Sequence, residues 1–241
     1  MEQCSSAPLG DSRWRVVVVA ETEIAVEGIS AIIARAHEFR TCATTTHGKH
    51  ASDLLGMHRP HLLLIEPFIE GRDPMRWIKE LTEACATRIL VVSRHEEATY
   101  AERTLRAGAT GYFMKNGTAE ELLRAMRMTV SGHRYVSPRV ALLGMHKLLS
   151  QPYRAEGLLG SLSDRELHVF TLIAAEHGTG QIAEELGISR KTVESHCEHI
   201  KQKLGYSDAI ALKSGARNLL GATNVVWRKE SLIRQSGIVA R

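Results

Sequence analysis

The chain has 241 residues, long for one domain and enough for two of the usual ~100–150 residues. Apolar residues make up 44% and charged residues 24%, the balance of an ordinary soluble globular protein whose halves can each bury a core. The net charge of +4 suits a nucleic acid partner without requiring one, and no run approaches the ~18 apolar residues of a membrane span.

Residues 1–14, rich in Ser, Gly and Pro, read as a flexible arm with no apolar signal core. Val16-Val17-Val18-Val19 then forms a short continuous apolar run. Leu62-Leu63-Leu64-Ile65 and Ile89-Leu90-Val91-Val92 repeat the pattern. Such runs mark strands buried on both faces of a parallel sheet. Weaker strands are expected at Arg40 to Thr45 and Thr110 to Met114.

Helix-period segments lie between the strands. Ile24 to Ala36 places Ile24, Gly28, Ile29, Ile32 and Ile33 along one side. Further helices are expected over Pro74 to Ala84, Ala98 to Ala107, and Thr118 to Val130, the last opened by a Thr118/Glu121 capping box. Strand and helix alternate about five times in ~115 residues, which predicts an open parallel α/β sheet with helices on both sides. This unit covers residues 15–132. Residues 133–160 hold a helix opened by Ser137-Pro138 and a linker carrying Pro152, Gly157 and Gly160.

Residues 161–221 read as helices only. Ser163 and Glu166 form a capping box for the first, which His177-Gly178 ends. Gln181 to Leu186 is a short second helix and Gly187 a turn tolerant of positive φ. Ser189 caps a third helix from Arg190 to Leu204, and a fourth spans Asp208 to Leu220. Ala183 is the small residue needed where the second and third helices touch. Ile182, Leu186, Ile188 and Val193 supply apolar anchors. Together they define a helix-turn-helix.

In the third helix, Val193, Cys197, Ile200 and Leu204 recur at i, i+4, i+7 and i+11 and form the buried stripe. The outer face carries Lys191, Ser195, Glu198 and Gln202, flanked by Glu194 and His199. Such a face can enter a major groove, with Arg190, Lys191, Lys201 and Lys203 available to phosphates and Thr192 near the helix start. Glu194 and Glu198 place negative charge there. A carboxylate can accept from cytosine N4, at a cost in non-specific affinity. Modest binding by a monomer and dependence on dimerisation are therefore expected.

Residues Leu162 to Leu220 closely resemble the LuxR-type helix-turn-helix of the NarL/FixJ response regulators. The resemblance rests on Leu162-Ser163-Asp164-Arg165-Glu166, Ile182-Ala183, and Ser189 through Leu204 with Lys203-Leu204-Gly205. It implies that the third helix reads DNA and that the fourth supports dimerisation. Arg15 to about Gly132 resembles the receiver domain of the same family. That match rests on Glu27-Gly28-Ile29, Pro60, Arg106-Ala107-Gly108-Ala109, Gly111-Tyr112, and the exit through Tyr135 and Ser137. The fold implied is a doubly wound, flavodoxin-like five-stranded sheet followed by a small all-α domain of four helices.

The resemblance also locates the receiver pocket. The family's paired acidic residues after the first strand fall at Ala20 and Glu21, and its phosphorylated aspartate falls at Glu66. The switch hydroxyl falls at Ser93, the switch aromatic at Tyr112 and the pocket lysine at Lys115. Losing one carboxylate and moving two others by a methylene is costly for Mg²⁺ binding and for in-line phosphoryl transfer. A degenerate receiver is expected, with Glu66 paired to Lys115 or standing in for the phosphoryl group.

The expected function is a cytoplasmic, homodimeric, non-enzymatic transcription regulator that binds double-stranded DNA sequence-specifically. Its input is expected from a sensor kinase, another protein or a small molecule. A still-phosphorylatable receiver and a protein-interaction adaptor with weakened DNA binding are the alternatives. No cofactor or metal is expected, because the twelve histidines are dispersed and Cys4, Cys42, Cys85 and Cys197 show no CxxC spacing. Scattered free thiols suit a reducing cytosol. Residues 222–241 form an extension in which Val225, Val226, Trp227 and Ile233 are expected to extend the last helix or pack on a partner, with a disordered tail as the alternative.

Overall fold

The computed structural model describes residues 12–69, 72–149 and 158–220. Residues 1–11 of the N-terminal arm, the linker around Pro152 and the C-terminal extension lie outside the described residues, and Trp14, read as the end of the arm, is instead the first residue of the first strand. The chain divides into two compact units, Met1–Gln151 and Pro152–Arg241.

The first unit is a parallel sheet of five strands: β1 (Trp14–Val19), β2 (Phe39–Thr45), β3 (Leu62–Ile65), β4 (Arg88–Ser93) and β5 (Gly111–Met114). Their order is β2-β1-β3-β4-β5. The helices are α1 (Glu23–Ala34), α2 (Ala51–His58), α3 (Pro74–Ala84), α4 (Glu97–Arg106), α5 (Ala119–Val130) and α6 (Pro138–Leu149).

The three apolar runs are the three central strands. Val16, Val18, Leu62, Leu64, Leu90 and Val92 pack into one cluster with Ile29 and Ile33 of α1 and Leu122, Ala125 and Met126 of α5. Each of these Val, Leu, Ile and Met side chains, fully buried, contributes about 1.5–3 kcal/mol. The α5 capping box forms as expected, with Thr118 N–H donating to Glu121 Oε2 at 2.8 Å and Glu121 N–H to Thr118 Oγ1 at 3.2 Å.

Two expectations need correction. Ile24 is 83% exposed and Gly28 is also exposed. The buried side of α1 is Val26, Ile29 and Ile33, and Ile24 stands about 140° from Ile29 around the helix. The sequence reading also placed no helix between β2 and β3, where α2 follows a short 3₁₀ turn over Gly48–His50. Only Ala51 and Leu55 of α2 are buried, too few for a periodic signal.

The second unit holds α7 (Asp164–Ala174), α8 (Thr179–Glu185), α9 (Arg190–Leu204) and α10 (209–220). Leu167, Val169, Phe170, Ile173, Ile182, Leu186, Val193, Ile200, Leu212 and Ala216 are buried in it. The helix boundaries shift slightly from expectation. α7 stops at Ala174, with Glu176 at φ 67°, and α8 begins two residues before Gln181.

Candidate nucleic-acid interface and receiver pocket

The geometry of the helix-turn-helix is set by local hydrogen bonds. Gly178 N–H donates to Gln181 Oε1 at 2.8 Å at the start of α8. At the turn Gly187 has φ 61°, where a Cβ would be strained, and Ile188 N–H donates back to Ala183 O at 2.9 Å. Ser189 Oγ accepts from Thr192 N–H at 3.1 Å and starts α9. Arg165 of α7 donates to Leu186 O at 2.6 Å, clamping the turn from outside the motif.

α9 buries Val193 and Ile200 and half-buries Cys197 and Leu204, the predicted stripe. Burial pushes the Cys197 thiol up, the behaviour of a packing residue. Arg190, Lys191, Thr192, Glu194, Ser195, Glu198, His199, Gln202 and Lys203 are all exposed. Two lysines proposed for phosphates already hold carboxylates. Lys201, whose side chain is 18% exposed, pairs with Glu198 at 2.8 Å. Lys203 reaches Glu166 of α7 at 2.6 Å. The Thr192 hydroxyl lies 2.8 Å from Ser189 Oγ.

Glu166 was legible only as a capping residue. Its Oε2 accepts from Ser163 N–H at 2.7 Å as well as from Lys203, so one buried carboxylate ties the start of α7 to the end of α9. Burial alone would raise its pKa, but the hydrogen bonds from Lys203 and Ser163 prevail and hold it below the ordinary carboxylate value. A lowered folded-state pKa contributes stability above the unfolded value. That contribution is lost as the pH falls through the folded one. Protection of the α7 and α9 amides against exchange should therefore weaken as the pH drops below about 4.3. Glu166→Gln should remove most of that acid dependence while weakening the same amides at pH 7.

In the first unit the parallel register pairs Val19 with Thr45 and Ile65, Ile65 with Val91, and Ser93 with Met114. The carboxyl ends of four strands thus deliver Ala20, Glu21, Glu66, Ser93 and Lys115 to one edge, the usual ligand edge of an open α/β sheet. Glu66 Oε1 lies 2.6 Å from Lys115 Nζ, with the two side chains 8% and 32% exposed. Glu66 Oε2 accepts from Glu21 N–H at 3.3 Å. Ala20 is buried and Glu21 exposed. The space bordered by Glu21, Glu66, Ser93 and Arg94 is about 10 Å³, room for no more than one water.

This set does not fit the divalent cation that the receiver family implies. Ala20 offers no carboxylate, the Glu66 carboxylate is committed to Lys115, and Glu21 faces solvent. Tyr112 points inward, fully buried, with its hydroxyl donating to His95 O at 2.8 Å. The ring of Phe68 lies 4.0 Å from that of His95, centroid to centroid. Neither His95 nor Phe68 stood out in the sequence, because their roles depend on contacts between separate loops.

A parallel sheet with this pocket and a helical unit with this turn define a DNA-binding response regulator. Residues 16–127 match the response regulator receiver domain, and residues 160–212 match the luxR family of bacterial regulatory proteins. The chain belongs to the LuxR-type response regulators that join these two domains. The oxygen regulatory protein NreC of Staphylococcus epidermidis is 29% identical over 197 residues, covering 79% of this chain and 90% of NreC. The transcriptional regulatory protein DegU of Brevibacillus brevis is 25% identical over 217 residues, covering 83% of this chain and 91% of DegU. RcsB of Salmonella enterica serovar Typhimurium, solved bound to promoter P1flhDC in the presence of phosphomimetic BeF3-, shares the fold. Its TM-score is 0.61 at 20% identity, over 85% of this chain and 98% of that one. Among the described residues no helix is long and apolar enough to cross a membrane.

Proposed function

We propose that this regulator binds duplex DNA sequence-specifically without conventional aspartyl phosphorylation, its pocket being set by Glu66 and Lys115. The carrying observation is the 2.6 Å ion pair between them. It fills the place a phosphoryl group would take and leaves space for no more than one water. The chain acts as a non-enzymatic cytoplasmic homodimer. The exposed Ile210 on α10, the helix that the family resemblance assigns to dimerisation, supports the dimer. The free thiols Cys42, Cys85 and Cys197 suit a reducing compartment. Input comes from a bound protein, a sensor kinase included, or from a small molecule.

On DNA, Arg190 and Lys191 at the start of α9 meet phosphates, while Ser195, Gln202, Glu194 and His199 face base edges. The ion pair with Lys201 offsets the charge of Glu198 and removes half the support for an adaptor that no longer grips DNA.

The test is incubation of the full chain with acetyl phosphate and Mg²⁺, followed by intact-mass measurement. The expected result is no phosphoprotein. A stoichiometric phosphoryl adduct in the first unit would overturn the proposal.

A further inference from the structure

The loop from Ser93 to Glu97 runs from the receiver pocket into α4 and is tied down at several points. Ser93 Oγ accepts from His95 N–H at 3.1 Å. Tyr112 Oη donates to His95 O at 2.8 Å. Phe68, two residues after Glu66, packs at a tilt against the His95 ring and meets Tyr100 edge-on at 5.2 Å. The two residues after His95 hold the segment that leaves the sheet. Glu97, 5% exposed, accepts from Ser137 N–H at 2.6 Å, and Glu96 pairs with Arg139 at 3.4 Å.

The start of α6 explains why this contact matters. Ser137 caps the helix, its Oγ accepting from Val140 N–H at 3.3 Å. In a capping box the residue at the third helical position returns a carboxylate to the cap's own N–H. Glu121 does so for α5 and Glu166 for α7. In α6 that position is Val140, which has no acceptor to offer. The carboxylate comes instead from Glu97 on α4. The cap of α6 therefore depends on where α4 begins, and that is set by the loop anchored at His95.

We infer that Glu97 is a positioning residue that carries the setting of the pocket, through the Ser93–Glu97 loop, to α6. Release of the loop at Tyr112 shifts His95 and, two residues on, the carboxylate that completes the α6 cap. The inference goes beyond the proposed function, since the coupling operates whatever sets the pocket.

Hydrogen exchange in the full chain tests it, read at the amides of residues 139–143 with those of α5 as internal reference. Glu97→Ala should speed exchange in the first turn of α6 about fivefold, the effect of removing one hydrogen bond. Glu97→Gln, which keeps an acceptor, should restore most of the protection. Tyr112→Phe removes a hydroxyl bonded to the His95 carbonyl and should speed the same α6 amides. Combined with Glu97→Ala it should add nothing further. The inference fails if Tyr112→Phe leaves α6 unchanged, or if the two effects multiply as independent losses. Should Glu97→Ala disturb α5, the α6 amides of Tyr112→Phe alone decide: faster exchange there with α5 unchanged supports the inference, and unchanged α6 exchange overturns it.

Discussion

Lys115→Met should destabilise the first unit by about 3 kcal/mol, because it leaves the buried Glu66 carboxylate without its cation. The remaining hydrogen bond from Glu21 N–H is long, at 3.3 Å, and a backbone amide does not neutralise the charge. Urea unfolding of the full chain with Trp227→Phe, followed by the fluorescence of Trp14 and Trp77 in the first unit, reads the loss. The double variant Glu66→Gln, Lys115→Met should recover much of it, since no charge is then left buried. That non-additivity separates a paired charge from two independent contributions. Equal and additive losses would show that the ion pair does not organise the pocket.

The second large effect is on DNA. Arg190→Ala combined with Lys191→Ala should weaken binding to every duplex alike, because phosphate contacts carry no sequence information. In a plot of log affinity against log salt concentration, the slope should become shallower by about 2, roughly 0.9 for each phosphate no longer neutralised. Fluorescence anisotropy on one specific and one unrelated duplex measures both quantities. Lys203→Ala should behave differently. Its Nζ holds Glu166, so its removal should cost the second unit about 2 kcal/mol in stability and leave the salt slope nearly unchanged.

Much of the architecture was legible because its signals are local. Val16 to Val19, Leu62 to Ile65 and Ile89 to Val92 are buried on both faces, so each strand reads as an unbroken apolar run. The capping boxes at Thr118 and Ser163 and the positive φ of Gly187 are likewise short-range features. Ile24 misled because it stands off the side of α1 that buries Val26, Ile29 and Ile33, a distinction that hydrophobicity alone does not draw. α2 escaped because it buries only Ala51 and Leu55.

The pocket was legible by position, and the Glu66–Lys115 pair was one of the two outcomes expected there. The partners of its surroundings were not legible. Arg165 reaches the carbonyl of Leu186, 21 residues on, and Glu97 reaches Ser137, 40 residues on. No periodicity encodes such contacts, which exist only once the helices are packed. Lys203 shows the same gap: sequence marks it as a cation beside DNA, while packing gives it Glu166 of α7. Lys201 differs, since its partner Glu198 lies three residues back on the same helix.

The most direct test of an unphosphorylated, DNA-binding regulator is the affinity of the purified chain for duplexes it selects from a random pool, measured across a range of salt. Steep salt dependence, a clear preference for the selected sequence over an unrelated one, and no change on adding acetyl phosphate are the expected results. Selection of no sequence, or binding that emerges only after phosphoryl transfer, would contradict the role given to Glu66 and Lys115.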